Sequence, residues 1–435
     1  MRASGRPPGG ALLIVADGLA ESPGEKTTLF RARTPVLDRL SRQGRLFRLD
    51  PQGGAPEESV TSERGIAALL GLGRIDDANL SRGGLLSLLA DLPSVREAVP
   101  LSSWFYVATP VRYSEGGEGT LQSYVNDPAW ESALWHTLIE RLPSVRNFDL
   151  FPVFERPSSG VSRRGERILR MLARFSAPLT QEAVPATGFP PRTGRLKREA
   201  LAPSFFMEWF SREILRCEGG RRTDQEGRGD PGLWLWGGGP RPSPPLAPHP
   251  DRFLVAQAAL VRALGRLAGY ADLPLCRATG ETDTDLAEKL SQVRTALLSG
   301  ARRVVLHVEG FDMASHRKDP EGKRRFLERF DQEVLAPASG MLLSGELEAL
   351  GMTSDHRSSP WTGNHAAGPV PALLLNGDTF GKPERAGARM TEEAAERSPI
   401  ASMEHWNGLL FSDPASTAGR RDNNLRERTT CRESS

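Results

Sequence analysis

The sequence predicts an α/β protein built on a parallel sheet, and three features carry that prediction. Short runs at 11–16 (Ala-Leu-Leu-Ile-Val-Ala) and 304–308 (Val-Val-Leu-His-Val) are apolar on both faces, the pattern of strands buried in a parallel sheet. Runs of this kind alternate with amphipathic helical patterns at 254–267 and 286–298. Several runs also end in Asp or His, and ligands bind at the carboxyl edge of such a sheet.

The first run closes on Asp17-Gly18. Thr34-Pro35, with apolar residues at helical spacing to 40, reads as a capped helix start. A Gly-, Pro- and Glu-rich loop over 53–60 leads into Thr61-Ser62-Glu63-Arg64-Gly65 and the apolar helix 66–71. Ser62 stands at the mouth of that helix. The position suits a helix N-cap. It also suits a phosphate, because free N–H groups and the positive dipole end lie there.

From about 85 to 225 strand signals are scattered and Pro and Gly are frequent. A strand is predicted at 104–108, a helix with a basic face at 163–175 and a charged, Gly-rich linker at 218–230. The run 232–236 reads as a returning strand. It closes in Gly237-Gly238-Gly239-Pro240-Arg241, where the backbone can approach a ligand closely. Residues 278–285 form a loop that caps helix 286–298.

Past the run 304–308, Asp312 and His316 are four apart, so a helix places them on one face. A carboxylate and an imidazole beyond a strand end suit a divalent metal. Their other reading is a solvated helix start. Asp355-His356 then follows Leu350-Gly351-Met352-Thr353-Ser354, and His365 precedes the turn and apolar run 368–375. Separate strand ends converging on Asp and His favour the metal reading.

With 435 residues, the prior is two or three domains. All the metal-type residues lie outside the middle segment. The expected division is therefore one domain from 1–85 and 226–412, an inserted smaller α+β domain at 86–225, and a polar, Arg-rich, disordered tail at 413–435. No internal repeat is found. The net charge of +2 gives no reason to expect nucleic acid or a membrane as partner. No apolar run approaches the ~20 residues of a membrane span. Residues 1–10 do not have the form of a secretory signal. Cys217, Cys276 and Cys431 form no CxxC pair, which makes a reducing, cytoplasmic location the expectation.

Together the motifs resemble those of the cofactor-independent phosphoglycerate mutases, archaeal type, in the alkaline phosphatase superfamily. The matching residues are Asp17-Gly18, Thr61-Ser62-Glu63 with Leu69-Leu70-Gly71, Ser81-Arg82-Gly83-Gly84, and Trp234-Leu235-Trp236-Gly237. They continue through Ala278-Thr279-Gly280 with Asp283-Thr284, His307-Val308-Glu309, Asp312 with His316, Asp355-His356, and His365 with Pro369-Val370-Pro371.

The resemblance implies a three-layer, alkaline phosphatase-like α/β sandwich whose inserted lid domain closes over the substrate. It implies two divalent metal ions, Mn2+ or Zn2+, with Mg2+ or Co2+ as alternatives. One ion would be held by Asp17, Ser62, Asp355 and His356, the other by Asp312, His316 and His365. Ser62 would be the catalytic nucleophile, since metal coordination makes a serine alkoxide accessible. It would carry the phosphoryl group of a small phosphorylated metabolite, interconverting 2-phosphoglycerate and 3-phosphoglycerate. Arg82 and Arg241 are the implied substrate-binding residues. The alternatives are a phosphohydrolase acting on another phosphorylated metabolite and a non-catalytic binding paralogue. The chain departs from the family at Thr61-Ser62-Glu63, where archaeal members usually carry Gly-Ser-Asp, and at Gly239-Pro240-Arg241. It also departs throughout 86–225, where the usual motifs have no match.

Overall fold

In the computed structural model of the chain, Gly10–Ala16 is a fully buried strand at the centre of a large sheet. It pairs in parallel with Arg303–Val308 on one side and Leu347–Thr353 on the other. On one side the sheet continues through Arg252–Val255, parallel to Arg303–Val308. On the other side it runs through Val370–Asn376, Arg45–Leu49 and Ile400–Ala401. The central strands are buried almost without alternation, so both faces of the sheet are covered. Helices including Pro35–Gln43, Leu286–Leu298 and Ala336–Ser344 supply that cover, which gives the expected three-layer α/β sandwich.

The structure describes residues 9–73, 81–90, 103–113, 121–124, 128–140, 148–154, 168–175, 209–210, 212–213, 230–243, 247–376, 379 and 388–411. The expected tail 413–435 lies outside them, as does the expected linker apart from Asp230. The chain divides into two compact units. One comprises 1–73, 249–256 and 277–435, and the other 74–248 and 257–276. Among the described residues no helix is long and apolar enough to cross a membrane.

The first unit departs from the sequence reading in two places. Val370–Asn376 runs antiparallel to Leu347–Thr353, so the sheet is mixed. No crossover helix joins the two, and a direct return of the chain gives the antiparallel direction. Leu254 and Val255, read as the start of a helix, instead end the strand Arg252–Val255 and pair with Val305 and Leu306. The helix begins only at Ala259.

The second unit is an antiparallel sheet of Leu121–Tyr124, Trp104–Tyr113, Ile168–Phe175 and Phe148–Phe154, with Asp230–Pro240 paired along Trp104–Tyr113. Trp135, Phe210, Leu233 and Leu235 lie in its core. Ile168–Phe175 was expected to be helical. Pairing on both sides makes it an interior strand, with Met171, Leu172 and Ala173 all buried. Asp230–Pro240 was expected to return to the first domain, but its ladder with Trp104–Tyr113 keeps it in the second unit. The helix Arg82–Leu86 lies there too.

Candidate metal centre

Three adjacent strands of the first unit, Gly10–Ala16, Arg303–Val308 and Leu347–Thr353, bring acidic side chains to their carboxyl ends. Asp17 follows the first, and its N–H donates to Val308 O at 3.0 Å. The helix Gly310–His316 follows the second. It puts Asp312 and His316 on one face, with His316 Nε2 3.0 Å from Asp312 Oδ2. Asp355 and His356 follow the third and are fully buried. His365 comes from the short strand His365–Ala366, paired with Arg357–Ser358. Gly18 turns the chain at φ +64, and a Cβ there would lie 2.6 Å from Asp312 Oδ1. Only glycine both adopts this turn readily and leaves room for the Asp312 carboxylate.

Candidate ligand atoms of Asp17, Asp355 and His356 all lie within 4.8 Å of one another, as do those of Asp312, His356 and His365. His356 borders both groups, and its ring stacks on His365 at 3.8 Å. The histidines share one arrangement. Nδ1 of His316, His356 and His365 faces the backbone carbonyls of Gly363, Arg357 and Val60 at 2.9, 3.3 and 3.3 Å. A carbonyl only accepts, so each Nδ1 carries a proton and, in the neutral ring, Nε2 carries a lone pair.

These Nε2 atoms nonetheless face carboxylates. His316 lies 3.0 Å from Asp312, His356 3.2 Å from Asp355, and His365 3.5 Å from Asp312. A lone pair set against an anionic oxygen repels it unless a cation lies between. Protonation does not supply one at His356, whose pKa burial pushes down. Burial, then the charges of Asp355 and Asp312, pushes Asp17 well above the usual carboxylate range. Burial likewise raises Asp355. Asp312 is held well below its usual value. Burial works against this, and the imidazoles of His316 and His365 that face it outweigh it. Asp17 Oδ1 and Asp355 Oδ2 are buried and have no hydrogen-bond partner among the described residues. The donor set therefore fits divalent cations, and mixed carboxylate and imidazole ligands suit Mn2+ or Zn2+.

Ser62 is the first residue of the helix Ser62–Leu69, but the cap is its neighbour. Thr61 Oγ1 accepts from Arg64 N at 3.3 Å. The Ser62 hydroxyl is left to face His356 Nε2 at 3.1 Å. Gln52 holds this loop against the centre. Its Nε2 donates to Thr61 O and Asp355 O at 2.9 and 3.0 Å, and its Oε1 accepts from Thr61 N at 3.2 Å.

All seven proposed ligand residues lie in the first unit; Asp17 and Asp355 cluster with His356, Asp312 and His365 cluster with the same His356, and His316 and Ser62 reach the centre through Asp312 and His356. Arg82 and Arg241 lie in the second unit. The Arg82 guanidinium sits 5.5 Å over the Trp236 ring. Partial burial and the like charge of Arg266 lower the proton affinity of Arg241. Sequence reasoning gave no role to three supporting residues. Gln52 is one. Ser358 is another, its Oγ donating to Asp312 Oδ1 at 2.7 Å. The third is His307, whose Nε2 lies 3.1 Å from Asp17 Oδ2. Burial first, then Lys289, pushes the His307 pKa down to about 3, so it meets Asp17 as a neutral donor. His307 reads as core because it sits inside an apolar strand. Gln52 and Ser358 have no periodic signature at all.

Fold and centre together define a metal-dependent enzyme, and residues 276–398 match the model of the Metalloenzyme superfamily. Over most of its length the chain is similar to a probable 2,3-bisphosphoglycerate-independent phosphoglycerate mutase of Geobacter sulfurreducens. The two are 27% identical over 413 residues, 89% of this chain and 95% of that protein. It is also 36% identical, over 154 residues, to the 2,3-bisphosphoglycerate-independent phosphoglycerate mutase of Methanothrix thermoacetophila, covering 33% of this chain and 37% of that one. A solved protein of Pyrococcus horikoshii shares the fold, with a TM-score of 0.63 at 20% identity, covering 93% of this chain and 96% of that chain. These matches bear out the resemblance read from the motifs.

Proposed function

We propose that the protein is a metal-dependent phosphoglycerate mutase that interconverts 2-phosphoglycerate and 3-phosphoglycerate through a phosphoserine at Ser62. One observation carries this reading. Ser62 is relieved of capping by Thr61 and directs its hydroxyl at a histidine bordering both groups of candidate ligands. Asp17, Ser62, Asp355 and His356 would hold one ion, and Asp312, His316 and His365 the other, with His356 between them. Bound ions supply positive charge that makes the Ser62 hydroxyl more acidic and steadies the phosphoryl oxygens.

The chain's own groups do the rest. Backbone carbonyls fix the tautomers of three histidines. His307 orients Asp17. Gln52 holds the loop of the nucleophile. The amino end of Ser62–Leu69 carries the positive end of the helix dipole, which favours a phosphate. The reading includes a cytoplasmic location and Mn2+ or Zn2+ as the ions.

The test is to incubate the purified chain with Mn2+ and 3-phosphoglycerate, assay 2-phosphoglycerate and free phosphate, and map protein-bound phosphate by mass spectrometry. The expected result is 2-phosphoglycerate with phosphate on Ser62. Free phosphate without the isomer would make the protein a hydrolase. Phosphate on any other residue would overturn the role of Ser62.

A further inference from the structure

Ser358 and Lys323 belong to neither set of ligands, yet both are fully buried beside them. Ser358 is tied on several sides. Its N–H donates to Ala20 O at 2.8 Å. Its carbonyl accepts from Lys323 Nζ at 2.8 Å and from Ser315 Oγ at 3.3 Å. Its hydroxyl donates to Asp312 Oδ1 at 2.7 Å. Lys323 Nζ in turn lies 3.4 Å from Glu21 Oε1, in the loop that leaves Asp17. Burying an ammonium is costly unless it is paired and hydrogen-bonded. This one spends its contacts on a carboxylate and on the carbonyl of one serine.

We propose that Ser358, anchored by Lys323, is a positioning residue that sets the rotation of the Asp312 carboxylate toward its metal ion. A carboxylate turns about a broad, roughly two-fold torsion, so its rotamer alone does not fix it. With a metal ion bound, the Nε2 atoms of His316 and His365 would be its ligands and could not donate to the carboxylate. The Ser358 hydroxyl can, and three further hydrogen bonds keep that hydroxyl in place. The same residue reaches Ala20, three positions past Asp17, and so ties the Asp312 side of the centre to the Asp17 side.

This inference rests on the two-metal reading, and the test separates the two. Mn2+ is titrated into metal-free wild type and Ser358→Ala, with calorimetry counting ions and affinities and with turnover measured alongside. The wild type is expected to bind two ions. Ser358→Ala is expected to bind one of them unchanged and the other about 10–100-fold more weakly. Its kcat should recover at saturating Mn2+ while KM for 3-phosphoglycerate stays at the wild-type value. The double variant Glu21→Gln/Lys323→Met removes both buried charges together and should weaken the same ion. Loss of both ions alike, or of neither, in Ser358→Ala would overturn the positioning role, as would a double variant with wild-type affinities. A wild type that binds no Mn2+ would instead overturn the two-metal reading itself.

Discussion

Glu392 offers a prediction with a sign that the structure fixes. Its carboxylate is buried, accepting from Glu21 N at 3.1 Å and from Thr27 Oγ1 at 2.9 Å. The Glu21 carboxylate accepts from Thr28 N and pairs with Lys323. Burial, with a smaller contribution from the charge of Glu21, pushes the Glu392 carboxyl up from 4.5 to about 7. Between those values the unfolded chain releases the proton and the folded chain keeps it. Stability therefore falls as pH rises through this window and levels off above about pH 7.

The gap corresponds to about 3 kcal/mol in full, of which about 2.5 kcal/mol develops between about pH 5 and about pH 8. Glu392→Gln keeps the shape and an acceptor but cannot ionise. Urea unfolding of metal-free protein at both pH values, variant against wild type, should show the difference moving toward the variant by about 2.5 kcal/mol on going to the higher pH. Wild-type and variant stabilities that run parallel with pH would refute the reasoning.

Three other substitutions test the centre directly. Thr61→Ala should cost about 0.5–2 kcal/mol of stability while the folded enzyme keeps its turnover. Ser62→Ala should leave stability near wild type and lower turnover by several orders of magnitude, and side-by-side melting and activity measurements would expose a reversal of these roles. Gly18→Ala puts a Cβ into a φ +64 turn and against Asp312 Oδ1, so calorimetric titration with Mn2+ should show weakened binding. Binding at the wild-type level would mean that the turn is not what brings Asp17 and Asp312 together.

Much of this architecture is readable from residues alone, where short-range order and chemistry coincide. The runs 11–16 and 304–308 are buried on both faces, and that is visible as unbroken apolar sequence. Asp312 and His316 share a helix face because they are four apart. The failures have physical causes as well. Ile168, Leu172 and Phe175 stand at helical spacing with Met171. In a strand buried on both faces, as consecutive Met171, Leu172 and Ala173 are, nothing forces polar alternation, so the two patterns coincide. Ser62 at a helix mouth looks like a cap until Thr61 is seen to take that bond. Gln52, Ser358 and Lys323 act through partners 9 to 338 positions away, and no local pattern marks such contacts.

The central position of Gly10–Ala16 has a consequence for the protein's birth on the ribosome. Its two sheet neighbours, Arg303–Val308 and Leu347–Thr353, are the products of much later codons. Asp17 and His307 are separated by 290 positions. At about 5–20 residues per second, the earliest strand waits roughly 15–60 s for its first partner. Over that interval an apolar segment has no sheet to join, while 74–248, most of the other unit, emerges in one piece and can fold first. Yield should therefore depend on what shields the nascent N-terminus, and slowing elongation should lengthen that exposure.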